Sequence, residues 1–86
     1  MKLEDTIGLM CSDDYRDRMK AEYIQLAIRI NKLEKYMEQC EDLATGFGQN
    51  LRAQRNAMGI YRTELGRRME NDGIPVESID SVIEEE

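Results

Sequence analysis

The residues best suited to chemistry are Arg52, Arg55, Gly59, Arg62 and Gly66, which recur at steps of three and four. On a helix that spacing places all five on one strip beside an apolar seam. Arginine offers a planar fork of donors that matches a phosphate bidentately and stacks on flat rings. Each interior glycine costs about 1 kcal/mol relative to alanine in a helix, so two on one strip mark a place where something approaches the backbone. That something is a ligand or another helix. Tyr61 and Gln54 lie near the same edge and would add base stacking and amide hydrogen bonds. The expectation is an anion pocket formed where arginine rows from two subunits meet. Arg52, Arg55 and Arg62 would take phosphates there, and a phosphorylated nucleotide would suit the pocket. The plainer reading is a solvated arginine face, with Arg62 paired to nearby acids and the glycines permitting close helix packing.

Other chemistries lack their residues. The chain has no histidine, so a nucleophilic cysteine would lack its usual base. Cys11 and Cys40 form neither a zinc pattern nor a disulfide framework, and two reduced thiols suit an intracellular protein. No glycine-rich phosphate loop follows a strand. The carboxylates lie near Lys or Arg on helical faces, as in Asp14–Arg18 and Glu34 near Lys32 and Lys35. No acid–base pair stands out, no metal cage forms at Glu84-Glu85-Glu86, and no cofactor is implied. A non-enzymatic protein is expected.

The elements that position the arginine row follow from periodicity. Leu3, Ile7 and Met10 predict a short helical arm over 3–10. Ser12 is a good N-cap for the next helix, with Asp13, Asp14 and Asp17 near its positive end. Tyr15, Met19, Tyr23, Leu26, Ile30, Leu33, Met37 and Cys40 then recur at four and three, an apolar seam predicting a helix over 13–43. Residues 43–50 read as a break, with Gly46 in a left-handed position and Asn50 as a cap. Leu51, Met58, Tyr61, Leu65 and Met69 mark a second helix over 51–70. Asn71-Asp72-Gly73 stops it, and Pro75 opens a short acidic helix over 75–84, with Val76, Ile79 and Ile83 on one face. The fold class is all-α: one domain over 1–86, an antiparallel hairpin with short N- and C-terminal helices.

Ala21, Ile24 and Ile28 form a second apolar row nearly opposite the seam, and Ile60 is displaced from its own seam. One partner helix cannot cover both rows. Either the short terminal helices fold back over the second row, or a second copy of the chain does. A two-helix core of this size is marginal, so a homo-oligomeric bundle is expected, with Ala21, Ile24, Ile28, Gly59, Ile60 and Gly66 at the interface.

Charge is uneven: residues 51–70 hold five Arg against two Glu, and residues 71–86 hold six acids and no base. A formal net charge of -6 argues against non-specific or sequence-specific nucleic-acid binding, which needs a basic footprint. No apolar run approaches the roughly 20 residues of a membrane span, and the acidic N-terminus lacks a signal-peptide pattern. The expected address is cytoplasmic, in a bacterium.

The block Glu4-Asp5-Thr6-Ile7, Met10, Ser12-Asp13-Asp14-Tyr15-Arg16, Arg18, Ala21-Glu22-Tyr23, Gln25 and Arg29 resembles a small phage protein family named after an open reading frame of a crAss-like gut phage. Leu51, Gln54, Ala57-Met58, Tyr61, Leu65, Arg68, Glu70 and Gly73-Ile74 continue the resemblance, which covers about residues 4–74. The linker Gly46-Phe47-Gly48 departs from the family pattern, and the acidic tail from Val76 looks like an addition. The resemblance implies phage or prophage origin and a helical fold, and carries over no catalytic residue. Small phage accessory proteins are often counter-defence factors. One functional expectation is a sequestering oligomer that binds a nucleotide immune messenger, such as a cyclic oligonucleotide, without cleaving it. The alternatives are a protein-binding inhibitor of a host defence complex (anti-CRISPR or nucleic-acid-mimic type), or a phage assembly protein.

Overall fold

A computed structural model describes residues 1–39 and 46–84 of the chain. A 3-10 turn at Leu3–Thr6 leads into α1 (Ile7–Met10), followed by α2 (Tyr15–Gln39), α3 (Gly46–Asn71) and α4 (Val76–Glu84). The all-α hairpin is present as expected, flanked by short helices from both ends of the chain. Its long axis is 43 Å. Cys40, the expected end of the first long helix and Glu85–Glu86 lie outside the described residues.

Local chemistry explains the element ends. The carbonyl of Asp14 accepts the amides of Asp17 and Arg18, and its carboxylate accepts the amide of Arg16 at 2.9 Å. Asp14, two residues after the expected Ser12, is therefore the N-cap of α2. Ser12 supports it: its hydroxyl accepts the Asp14 amide at 3.1 Å and donates to Asp17 at 2.8 Å. The Arg16 bond holds the Asp14 carboxyl below its ordinary pKa.

Helix α3 begins at Gly46, ahead of the expected start at residue 51. Glycine is a weak helix former because its backbone loses the most conformational freedom on ordering, so Gly46 and Gly48 open the helix against their own propensity. Gly48 is buried. At the other end Gly73 has φ +78, its amide bonds the Glu70 carbonyl, and the Ile74 amide bonds the Met69 carbonyl at 2.9 Å. That is a Schellman stop, and its accompanying apolar pair, Ile74 with Met69, lies in the core.

The core joins α2, α3 and both chain ends. Met19, Tyr23, Ile24, Ala27, Ile28, Leu65, Met69, Ile74 and Ile83 form one buried cluster, with Met1, Leu3, Leu9, Val76 and Ile79 packed against it. The middle of α2 is consequently covered nearly all round. Ala21, Ile24 and Ile28, expected at a subunit interface, lie inside the chain at 0%, 4% and 2% exposure. The chain's own ends do the covering expected of a second copy. The physical reason is reach: Pro75 and the Schellman stop turn the chain sharply enough for α4 to lie back against α2.

The N-terminal arm also turns differently from its expected face. Ile7 and Met10 are exposed, whereas Leu3 and Leu9 pack on the core and Thr6 is wholly buried. The Thr6 hydroxyl donates to the Leu3 carbonyl at 2.7 Å and accepts from Gln25 at 2.8 Å, which satisfies it away from water. The 3-10 start changes the phase of the arm relative to a continuous α-helix, and so selects this face.

Candidate functional site

Helices α2 and α3 run antiparallel, so their facing residues descend on one helix as they rise on the other. Met37 and Glu38 stand by Arg52 and Arg55, Ile30 and Glu34 by Arg55 and Gly59, and Tyr23 by Arg62 and Gly66. Along this face lies an open groove with three overlapping sections of about 480, 530 and 570 Å³. Those volumes fall within the roughly 300–1,000 Å³ of small-molecule sites. The groove has a floor and no roof.

The arginine strip read from the sequence lines this groove. Among the described residues neither Arg52 nor Arg55 has an ion-pair partner; Arg55 only reaches the Asn56 side chain at 3.3 Å. Between Arg55 and Arg62 stands Gly59, where an added Cβ would meet nothing within 4 Å. This glycine serves no packing within the chain and leaves open space in the groove. Gly66 differs: its Cβ would lie 3.5 Å from the Tyr23 ring and 3.8 Å from Val76, so the Tyr23 ring lies over it.

Arg62 is engaged from three directions. Its guanidinium pairs with Asp80 of α4 at 3.0 Å, its Nε donates to the Tyr23 hydroxyl at 3.3 Å, and it sits 5.3 Å from the Tyr23 ring centre. The Tyr23 hydroxyl in turn donates to the same Asp80 oxygen at 2.8 Å. The three side chains close a triangle. Burial pushes the Tyr23 hydroxyl above its ordinary pKa, the Arg62 bond pulls it back and Asp80 adds to the rise. Burial tends to lower the Arg62 value, but its bonds to Tyr23 and Asp80 outweigh that and the net direction is up. The plainer expectation for Arg62, pairing with an acid, thus describes its state here.

Two expected site residues lie elsewhere. Tyr61 and Gln54 are exposed and line no section of this groove, because both fall about 100° round α3 from the arginine strip. The aromatic beside the arginines is Tyr23, from α2. Sequence reading placed Tyr23 in the core seam and missed its polar end. An arginine in register across a hairpin was the signal available for it. Ile60 is 68% exposed and borders the groove at its outer lip, next to Asn56. Carboxylates share the groove as well: Glu34 lines each of these sections, with Glu38, Glu64 and Glu70 along its length.

No helix among the described residues is long and apolar enough to cross a membrane, and none of their Cys, Asp or Glu side chains cluster to hold a metal. Cys11 is a free, exposed thiol.

Fold and groove together define a small helical-hairpin protein with a mixed-charge groove on its α2–α3 side. The chain belongs to the Sequestin family, whose model matches residues 13–71, a stretch that contains both long helices and every arginine of the groove. The family name is consistent with a binding and sequestering role. No curated protein matches the chain, and no solved structure matches it.

Proposed function

We propose that this protein acts by stoichiometric binding, sequestering a small phosphorylated ligand of the nucleotide class in the α2–α3 groove without cleaving it. The observation that carries this reading is the pair Arg52 and Arg55, free of ion-pair partners among the described residues, beside the empty space over Gly59. A guanidinium uncommitted to a carboxylate is available to a phosphate, and each charge-assisted bond contributes roughly 1.5–3 kcal/mol. Because the groove lacks a roof, a ligand in it leaves one side uncovered, and a second copy of the chain seated over Gly59 and Ile60 would enclose it. Taken with the phage-family resemblance, the ligand is a nucleotide immune messenger, such as a cyclic oligonucleotide. The protein is then a phage counter-defence factor working in the cytoplasm of a host bacterium.

Isothermal titration against a panel of cyclic dinucleotides and cyclic ADP-ribose isomers tests this. Binding by the wild type and its loss in Arg55→Glu supports the reading; silence across the panel removes it. Light scattering with and without the bound compound reports whether two copies close on it.

A second reading is favoured by the carboxylates of the same groove. Glu34, Glu38 and Glu64 alternate with the arginines, and a mixed-charge face suits a protein partner as well as an anion. On that reading the protein inhibits a host defence complex through this face or through the acidic 77–86 tail. Neutralising the end of the tail with Glu84→Gln, Glu85→Gln and Glu86→Gln, which leaves the core side chains Ile79 and Ile83 in place, separates the two: protection lost with these charges but retained in Arg55→Glu selects the protein-binding reading.

A further inference from the structure

We propose that the groove holds a second anion subsite at Arg62, and that Asp80 is a built-in competitor which occupies it when no ligand is bound. This rests on the reading of the groove as an anion site. Arg55 and Arg62 are seven residues apart on one face of α3, about 10 Å along the helix axis, with the open position Gly59 between them. Their groove sections overlap at Ile30, Glu34, Gly59 and Thr63, so one extended ligand can reach both arginines. The Asp80 carboxylate sits where a ligand phosphate would sit, accepting from the Arg62 guanidinium at 3.0 Å and from the Tyr23 hydroxyl at 2.8 Å. Arg62 and Tyr23 therefore form a ready-made donor cradle for an anion, shaped by the long helices and filled by the chain itself.

Two further observations point to a displaceable plug rather than a fixed structural pair. The side chains of Arg62 and Asp80 keep 30% and 32% exposure, so water and solutes reach the pair. And the family match ends at residue 71: it includes Tyr23 and Arg62 and excludes Asp80 and all of α4. The cradle belongs to the matched helices, while the plug lies in the segment beyond them. A ligand that fills only the Arg52–Arg55 end leaves Asp80 in place. One with a second phosphoryl group about 10 Å away displaces it, which makes the protein selective for ligands with two separated anionic groups.

A pair of this exposure, holding Arg62 closed about 80–90% of the time, lowers apparent affinity at that subsite about five- to tenfold. The test is titration of the ¹⁵N-labelled full-length protein with sodium pyrophosphate, followed by NMR at the Arg62 Nε–H and the Gly59 and Gly66 amides. Asp80→Asn keeps the shape and the acceptor for Tyr23 but removes the charge, and its Arg62 and Gly66 signals are expected to titrate with a dissociation constant about five- to tenfold lower than in the wild type. Glu70→Gln removes one carboxylate charge from the groove section that Arg62 and Tyr23 line, without touching their cradle, and is expected to stay within about twofold of wild type. If Asp80→Asn proves poorly folded, Asp80→Ser, which removes the charge and leaves both cradle donors in place, carries the test with the same expected direction.

Equal gains in Asp80→Asn and Glu70→Gln would overturn the competitor, since bulk charge then explains both. So would unchanged affinity at Arg62 in Asp80→Asn while Gly59 still titrates through Arg55, a result that leaves the anion groove standing. No titration at any of the three signals in either protein overturns the subsite and the groove reading together.

Discussion

Tyr23 and Asp80 are 57 residues apart in sequence and joined by a hydrogen bond of 2.8 Å. That bond ties the last helix to the first long one, and Arg62 of α3 closes on both partners. One polar triangle thus links three helices at the end of an otherwise apolar core. Its state bears both on stability and on what the groove can hold.

Tyr23→Phe keeps the ring against Gly66 and under Arg62 but removes the hydroxyl. The expected cost is about 1 kcal/mol in urea denaturation. The alkaline limb gives a second signature. The folded pKa of Tyr23 is raised above its ordinary value of about 10, so its contribution is fully present below pH 10 and is lost as pH rises through the folded value. Stability measured from pH 9 upward should fall less steeply in Tyr23→Phe than in the wild type.

Asp14→Ala removes the acceptor for the Arg16 amide at the start of α2, and a lower melting temperature at neutral pH is expected. Here the sign is opposite. The folded pKa is depressed, so the contribution is present above the ordinary carboxylate value and is lost as pH falls through the lower folded one. Melting curves of mutant and wild type should converge in acid; a constant gap would show that the carboxylate charge is irrelevant.

Gly59→Ala separates stability from binding. Nothing crowds the added methyl, so helix propensity should stabilise the chain by about 0.5–1 kcal/mol. The same methyl intrudes on the groove between Arg55 and Arg62, and titration with any compound of the cyclic-nucleotide panel that the wild type binds should show weaker affinity. Stabilisation with unchanged affinity would place the ligand elsewhere.

Ile28→Asp distinguishes intrachain burial from a subunit interface. Within the core, an unpaired charge costs several kcal/mol, and circular dichroism should show loss of the folded state even in dilute protein. Leu65→Ala, at 1% exposure, should cost 2–5 kcal/mol on the usual scale of about that size for buried leucine, whereas Ile60→Ala should stay within about 0.5 kcal/mol. A folded Ile28→Asp protein of reduced mass would restore the row to an interface.

By itself the amino-acid order determined the hairpin, the short flanking helices and the arginine–glycine strip. Each of these is a matter of local period, and a period of 3.6 is readable from Met19, Tyr23, Leu26 and Ile30 or from Arg52, Arg55 and Arg62 without any partner. Boundaries slipped where competing local signals were close in strength, as at Ser12 against Asp14 and at the glycines opening α3. Tertiary structure alone decided what covers Ala21, Ile24 and Ile28, which aromatic stands by the arginines, and that Arg62 is held by Asp80 while Arg52 and Arg55 have no such partner among the described residues. Those facts depend on the angle at which distant segments meet, set by the Gly73 stop and the hairpin register. A one-dimensional pattern records which faces are apolar or charged; it does not record which two faces touch.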